Sequence, residues 1–314
     1  MIETSRMNRG KKKKRKIRKF RVFLTVLLLL LVSFALYFFI QYKLALDESM
    51  KATSIHKENV EFNGVKGAEG TVNVLLLGID SRGEAKSRTD TIMIGQYNTD
   101  ANTAKLVSIM RDSYVDIPDH GKGKINSAYS IGGAELLRRT IKENFGVDVQ
   151  YYALVDFNGF SQIIDKAFPN GLEVNVEKRM SKKIGVTLEP GLQKLDGKEV
   201  LGYVRFRQDA QSDFGRVGRQ QEILGTVSRE LFSLNGVTKA PQLIGTIQPY
   251  INTNLENTTV LSLAASYMGN RDEEIQTLRI PAEGAYEPQN LPGAGAVLRL
   301  DLEGNQSALK EFLE

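Results

Sequence analysis

No cysteine occurs among the 314 residues, which removes thiolate nucleophiles, disulfides and cysteine-held zinc or iron–sulfur sites together. Histidine is almost as scarce. His56 and His120 lie far apart in polar, loop-like stretches, leaving little from which to build a histidine triad or a histidine-rich metal site. The glycines at Gly78, Gly83, Gly132, Gly133, Gly215 and Gly218 match neither a Walker A loop nor a dinucleotide fingerprint. Internal repeats are missing as well. The chemistry left to this chain is that of arginine, aspartate and a hard cation.

Excess positive charge is also missing from most of the chain, despite a formal net charge of +5. Residues 1–21 hold eleven Lys or Arg against Glu3, so the remainder carries about −5. A mildly acidic remainder is a poor nonspecific binder of DNA or RNA, and nucleic acid is not an expected partner. Directly behind the basic tail, residues 22–40 (VFLTVLLLLLVSFALYFFI) contain no charge. Nineteen residues at helical rise come to roughly 29 Å, enough to cross a bilayer. The apolar run exceeds that of a cleavable signal and ends in Phe38, Phe39, Ile40, Gln41 and Tyr42 rather than in small residues. An uncleaved anchor is the expectation. The positive-inside rule then places the basic tail in the cytoplasm and everything after Gln41 outside the cell membrane.

Residues 41–71 are polar and rich in Lys, Glu, Asn and Gly, as in a stalk, with a helical turn or two at its start. Apolar runs at Val72–Gly78, Thr91–Tyr97 and Ala104–Met110 read as buried strands. Gly133–Phe145 reads as an amphipathic helix, Gln150–Val155 as a strand, Phe157–Ala167 as a helix and Gly171–Val176 as a strand. Asp196 and Glu199 form a capping-box signature for a further helix. Helices are expected at Pro241–Ile251, Thr258–Met268 and Gln306–Phe312, with strands at Ile275–Pro281 and Ala296–Leu302. The pattern predicts a layered α/β/α domain with a central mixed sheet, preceded by one transmembrane helix. With no linker to divide it, residues 72–314 form one domain.

Charged residues cluster where this pattern places strand ends. Asp80 and Arg82 follow the first strand, Arg88 and Asp90 precede the second, and Arg111 ends the third. Ligands of α/β sheets gather at such carboxyl ends. Arg205 and Arg207 would share a face if Tyr203–Arg207 is extended, while Arg216, Arg219 and Gln220 would share a helix face. The bland alternative is surface pairing of Arg216 and Arg219 with Asp209, Asp213 or Glu222. The apolar neighbours Val204, Phe206, Phe214, Val217, Ile223 and Leu224 argue instead that these elements pack inward. Buried guanidinium groups need acids or a ligand, and arginine captures phosphate oxygens bidentately. A phosphate or pyrophosphate site results, with the aspartates leaving room for a divalent cation. Tyr151, Tyr152, Phe157 and Phe160 could line a sugar or lipid groove, though core is the commoner fate of such residues.

The runs LLLGIDSR, SRTDTIMI, VSIMRDS, KINSAY, LDGKEVLGYVRFR and DFGRVGRQQ, taken in order, resemble the LytR-CpsA-Psr family of bacterial cell-wall enzymes over Val72–Phe232. The resemblance implies an extracytoplasmic phosphotransferase that moves a teichoic acid or capsule polymer from its undecaprenyl pyrophosphate carrier to peptidoglycan, with the 6-hydroxyl of N-acetylmuramic acid as acceptor. By motif position, Asp80 and Asp90 correspond to magnesium ligands, with manganese as the substitute. Asp80, Asp90 and Arg111 are the implied catalytic residues. Arg82, Arg88, Arg111, Arg205, Arg207, Arg216 and Gln220 correspond to pyrophosphate-binding residues supported by Asp213 and Arg219. Asp90 and Asp213 are the candidates for a general base. Thr89 stands where the family often has Ser. Two other readings use the same residues or position: a pyrophosphatase with water as acceptor, and a membrane-bound regulator, for which a 21-residue tail leaves no room for a helix-turn-helix.

Overall fold

The computed structural model describes residues 10–52, 60–80, 89–231, 242–268 and 274–314, with side chains from Lys19 onward. Helix α1 (Gly10–Ala52) is followed by strands β1 (Thr71–Ile79), β2 (Thr89–Asn98), β3 (Thr103–Ile109), β4 (Ser113–Ile117) and β5 (Gly121–Lys124). Next come α2 (Ile125–Phe145), β6 (Tyr151–Asp156), α3 (Phe157–Ala167), β7 (Leu172–Val176), β8 (Gly191–Leu195), α4 (Gly197–Arg205) and α5 (Ser212–Leu231). A 3₁₀ turn at Gln248–Tyr250 leads to β9 (Asn252–Thr253), α6 (Asn257–Met268), β10 (Gln276–Ile280), β11 (Tyr286–Leu291), β12 (Gly295–Leu300) and α7 (Leu302–Leu313).

Within α1, Lys19–Lys51 is long and apolar enough to cross a membrane, and its most apolar window is wholly unburied by protein. Phe20, Leu28, Leu30, Phe34 and Phe39 all point outward, a surface suited to lipid. The helix then runs to Ala52, past the one or two turns expected, because its last turns dock on the domain. Ala45 and Ser49 are buried there. Tyr42 donates its hydroxyl hydrogen to Gln248 Oε1 (2.8 Å) and accepts from Asn257 Nδ2 (2.9 Å). Further along, the Val65 amide donates to the Val149 carbonyl, and the Phe62 ring lies 5.0 Å from that of Tyr152.

Six strands in the order β10-β3-β2-β1-β6-β9 make the central sheet. It is mixed: β1 runs parallel to β6 and β3 to β10, while β1–β2, β2–β3 and β6–β9 are antiparallel. Side chains alternate across a strand, and here both faces are apolar. Leu75, Leu77, Ile92, Ile94, Tyr152 and Leu154 join one core with Leu137, Ile141 and Phe145 of α2 and Leu309 of α7. The intervening Leu76, Gly78, Thr91, Met93, Ala153 and Val155 face the other way, toward a cleft roofed by α3, α4 and α5. A second core, of Ile164, Val174, Leu195, Val200, Tyr203 and Ile223, ties the roof together.

The roof is held by caps and by one close approach. Asp156 caps α3 by accepting from the Gly159 amide (2.6 Å), and Asp196 with Glu199 forms the capping box read from the sequence. Gly197, the first residue of α4, sits so near α3 that an added Cβ would lie 2.0 Å from the Ser161 carbonyl oxygen. Gly197→Ala must therefore push α4 off α3, an overpacking cost of about 3 kcal/mol. Thermal melting of the variant is expected to show a drop of several degrees, and an unchanged midpoint would refute this account of the roof.

Candidate active site

The cleft under the roof has a volume of about 350 Å³. Its floor is the apolar face of β1, β2 and β6, and Phe157, Phe160, Leu201, Val204, Ile223 and Leu224 complete its walls. Charged groups line it as well, among them Asp80, Asp90, Arg205, Arg207 and Arg216, with Gln220, and ion pairs that join Asp90, Arg207 and Arg216 through Asp213 gather them at one rim. Apolar depth below a cationic rim matches an amphiphile with an anionic head.

Local backbone geometry explains how residues distant in sequence reach that rim. β1 pairs Gly78 with Thr91 but Ile79 with Thr89, so Asp90 is the unmatched residue of a β-bulge. Bulges re-aim side chains in this way. Asp80 follows the end of β1, and Arg111 lies just beyond β3. Tyr203–Arg207 is not extended: α4 continues to Arg205, and Phe206 leaves the helix in β conformation. That exit still delivers both arginines to the cleft, one from the last helical turn and one from the loop.

The rim is a knot of shared charges. Arg111 Nη1 donates to Asp90 Oδ1 at 2.5 Å, and Arg216 Nη1 stands 3.9 Å from the same oxygen. Asp213 Oδ2 accepts from Arg216 Nη2 at 3.0 Å, while its Oδ1 lies 3.8 Å from Arg111 and 3.7 Å from Arg207. Asp112 Oδ2 adds a third carboxylate at 3.4 Å from Arg111 Nε, so Asp90, Asp112 and Asp213 serve Arg111, Arg207 and Arg216. The Arg205 guanidinium lies over the Phe157 ring at 4.5 Å and enters no ion pair among the described residues. Burial and, more weakly, the neighbouring Arg111 and Arg207 lower Arg216 to about 10 against the pull of Asp213 and Asp90. Burial also opposes charge on Arg111, but Asp213, Asp90 and Asp112 outweigh it and raise its pKa. Arg216 is only 4% exposed, and Nε of both Arg111 and Arg216 is buried without a hydrogen-bond acceptor. Buried guanidinium donors without acceptors, beside an Arg205 that has no carboxylate partner among the described residues, favour an anion.

Arg219 departs from the expected shared face. It lines a second cavity on the other side of α5, where it donates to Asp209 (3.2 Å) and to the Phe206 carbonyl. Successive helical residues are turned about 100° apart, so Arg219 and Gln220 fall on opposite sides of the wall that α5 makes. The surface-pair alternative is right about the partners of Arg216 and Arg219 but not about their exposure, since both are buried. Arg82 and Arg88 lie outside the described residues. Lys182, Lys183, Gln208 and Asp156 also line the cleft without having been singled out. The strand-end rule could have found Asp156, because it pairs with Ile79 at the end of parallel β6. Phe157 and Phe160 line the cleft, whereas Tyr152 is in the core.

Burial would raise the Asp209 carboxyl, but Lys178 and Arg219 more than offset this and hold it below the usual value. A carboxyl depressed by folding adds stability above its unfolded pKa of about 3.9 and loses it as pH falls through the folded value. Asp209→Asn should therefore melt at a lower temperature than the parent near pH 7, with the gap closing below about pH 4. A gap independent of pH would contradict the pairing.

As to a metal, among the described residues no group of three or more acidic or histidine side chains forms a cage. Two aspartates at neighbouring strand ends nevertheless suit magnesium, which is commonly held by one or two carboxylates together with substrate phosphates and water. Arg111 and Arg216 both approach Asp90 at Oδ1, and carboxylate oxygens of Asp80 and Asp90 are hard donors of the kind magnesium takes.

The chain is 42% identical over 254 residues to "Regulatory protein MsrR" of Staphylococcus aureus (strain COL), covering 81% of this chain and 78% of that protein. It is 33% identical over 231 residues, 71% of each chain, to the polyisoprenyl-teichoic acid–peptidoglycan teichoic acid transferase TagU of Oceanobacillus iheyensis. Among solved structures, the LytR-CPS2A-psr family protein YwtF (TagT) with bound octaprenyl pyrophosphate lipid superposes with a TM-score of 0.58 at 25% identity, covering 83% of this chain and 99% of that one. A family profile, that of the LytR_cpsA_psr family, matches residues 36–310. The chain therefore belongs to the LytR_cpsA_psr family.

Proposed function

We propose that this chain is an extracytoplasmic phosphotransferase that moves a glycopolymer of the teichoic acid or capsule type from an undecaprenyl pyrophosphate carrier to peptidoglycan. The observation that carries the reading is a single cleft with an apolar floor and a rim of Arg205, Arg207 and Arg216. A polyprenyl chain belongs on the floor and its pyrophosphate at the rim. TagU's name and the lipid in the YwtF structure support this assignment by kinship. Helix α1 anchors the chain, with residues 1–21 in the cytoplasm by the charge rule.

In the proposed reaction the acceptor hydroxyl attacks the sugar-linked phosphorus. An O–P bond forms, the phosphoanhydride bond to the carrier breaks, and polyprenyl phosphate departs, the hydroxyl proton ending on that phosphate. Arg111, Arg207 and Arg216 hold the pyrophosphate oxygens and stabilise charge on the departing group. Asp90 and Asp213 are clasped by these arginines. They act as anions that fix the guanidinium positions. A loose phosphoryl transition state asks little of a base. Magnesium, or manganese in its place, would be held by Asp80 and Asp90 and would neutralise pyrophosphate charge.

Reconstituted full-length protein, supplied with polyprenyl pyrophosphate-linked polymer, should yield polymer joined to peptidoglycan and free polyprenyl phosphate by mass analysis. Release of the polymer as a free phosphate at the same rate without peptidoglycan would instead favour the pyrophosphatase reading. Chelation of divalent cations should lower turnover at least tenfold, with recovery on adding magnesium. Full turnover in a chelator would remove the metal from the mechanism.

A further inference from the structure

The second cavity, about 580 Å³ in volume, lies across α5 from the lipid cleft. The two meet at one loop: Arg207 and Gln208 line the first and Ala210 and Gln211 the second. Its composition is unlike that of its neighbour. Phe214 and Tyr286 lie with ring centres 5.5 Å apart and 31° between planes, and the Arg279 guanidinium covers Phe214 at 4.5 Å. Around these rings stand Glu177, Glu222 and Glu283. Glu222 accepts from the Tyr203 hydroxyl (2.7 Å), while Glu177 and Glu283 enter no ion pair among the described residues. Nε of Arg219 and of Arg279 is buried without an acceptor.

Three carboxylates against two guanidinium groups disfavour an anion, and the polar lining disfavours a lipid. An aromatic ledge with both acceptors and donors suits a neutral ring that is apolar on its faces and carries hydroxyl and amide groups on its edge. We propose that this cavity binds the amino-sugar rings of the acceptor glycan, so that the 207–211 loop separates acceptor from donor and a hydroxyl reaches over it to the phosphorus. The assignment rests on the transferase reading above and names where its acceptor sits. Arg279 near the end of β10, Tyr286 at the start of β11 and Glu283 in the turn between them are then acceptor-binding residues.

The test uses the full-length protein in detergent with two probes: a neutral β-linked N-acetylglucosamine oligomer for direct binding, and peptidoglycan for turnover. Tyr286→Ala and the isosteric Glu283→Gln, both checked by melting temperature, should weaken oligomer binding and raise the acceptor KM by about tenfold or more. Donor affinity should stay within about twofold. Arg205→Ala should show the converse, with weak donor binding and unchanged oligomer binding. Equal oligomer binding by the parent and both folded variants, no oligomer binding by the parent, or a rise in donor KM alone would each overturn the proposal. Absence of transfer by the parent sinks the transferase reading, and the oligomer titration still decides the cavity.

Discussion

Arg111→Ala is expected to lower transfer by about 10²–10³-fold, the loss seen when one preorganised donor to a developing anion is removed. Arg111 is the centre of the knot at the rim. It holds Asp90 at 2.5 Å and stands near Asp112 and Asp213 at 3.4 and 3.8 Å. Its removal subtracts one cation and releases Asp90 toward the anion it was neutralising. Arg111→Lys should recover little, because an ammonium group cannot span Asp90, Asp213 and a phosphate with a planar fork. Steady-state kinetics on reconstituted protein separate the effects: the loss is expected mainly in kcat, since Arg205, Arg207 and Arg216 still bind the ground state. A variant with parental kcat and KM would show that Arg111 serves the fold alone.

The second large effect is expected from filling the cleft. Ala153 lies on β6 opposite Leu76 and faces the cleft, not the α2 core. Ala153→Trp places an indole where the polyprenyl chain would lie. Each methylene kept from burial costs about 0.8 kcal/mol, so displacing even a few carbons amounts to several kcal/mol and about 10²–10³ in affinity. Polyprenyl pyrophosphate should therefore bind at least a hundredfold more weakly, while affinity for inorganic pyrophosphate, which needs only the rim, stays near parental. Titration with the two ligands distinguishes this outcome from general damage, which would weaken both. Equal polyprenyl affinity in the variant would place the chain elsewhere.

Much of the fold was legible because local signals agreed with tertiary demands. Continuous apolar runs marked β1, β2 and β3, and Asp196 with Glu199 marked the start of α4. Strands β5 (GKGK), β8 (GLQKL) and β11 (YEPQNL) were not legible, since none has an apolar alternation of its own. Each forms because a neighbouring strand supplies the pairing. Strand β1 carries a subtler lesson. VNVLLLG announces burial on both faces, but the period says nothing about whether the second face meets protein or a ligand. Leu76 and Met93 look like core in the sequence and turn out to floor a cleft.

At the site, strand-end logic pointed to Asp80 and Asp90, which line one cleft, and to Arg111, which pairs with Asp90, while helical spacing linked Arg216 with Gln220 in the same lining. It could not say that the boundary between two cavities runs between Arg219 and Gln220. That boundary is set by the placement of α5 against the Arg207–Gln211 loop, a long-range feature. The bulge at Asp90 was equally hidden, because it exists only in the pairing of β1 with β2.

One diphosphate gripped by several arginines from separate parts of the chain, above an apolar floor, is what a crystal structure of this protein with a polyprenyl pyrophosphate should show. Phosphate oxygens are expected within hydrogen-bond reach, about 3 Å, of Arg111, Arg205, Arg207 and Arg216, with the prenyl chain lying over Leu76, Ala153 and Val155. A diphosphate held away from these arginines, or a chain lying outside the cleft, would contradict it.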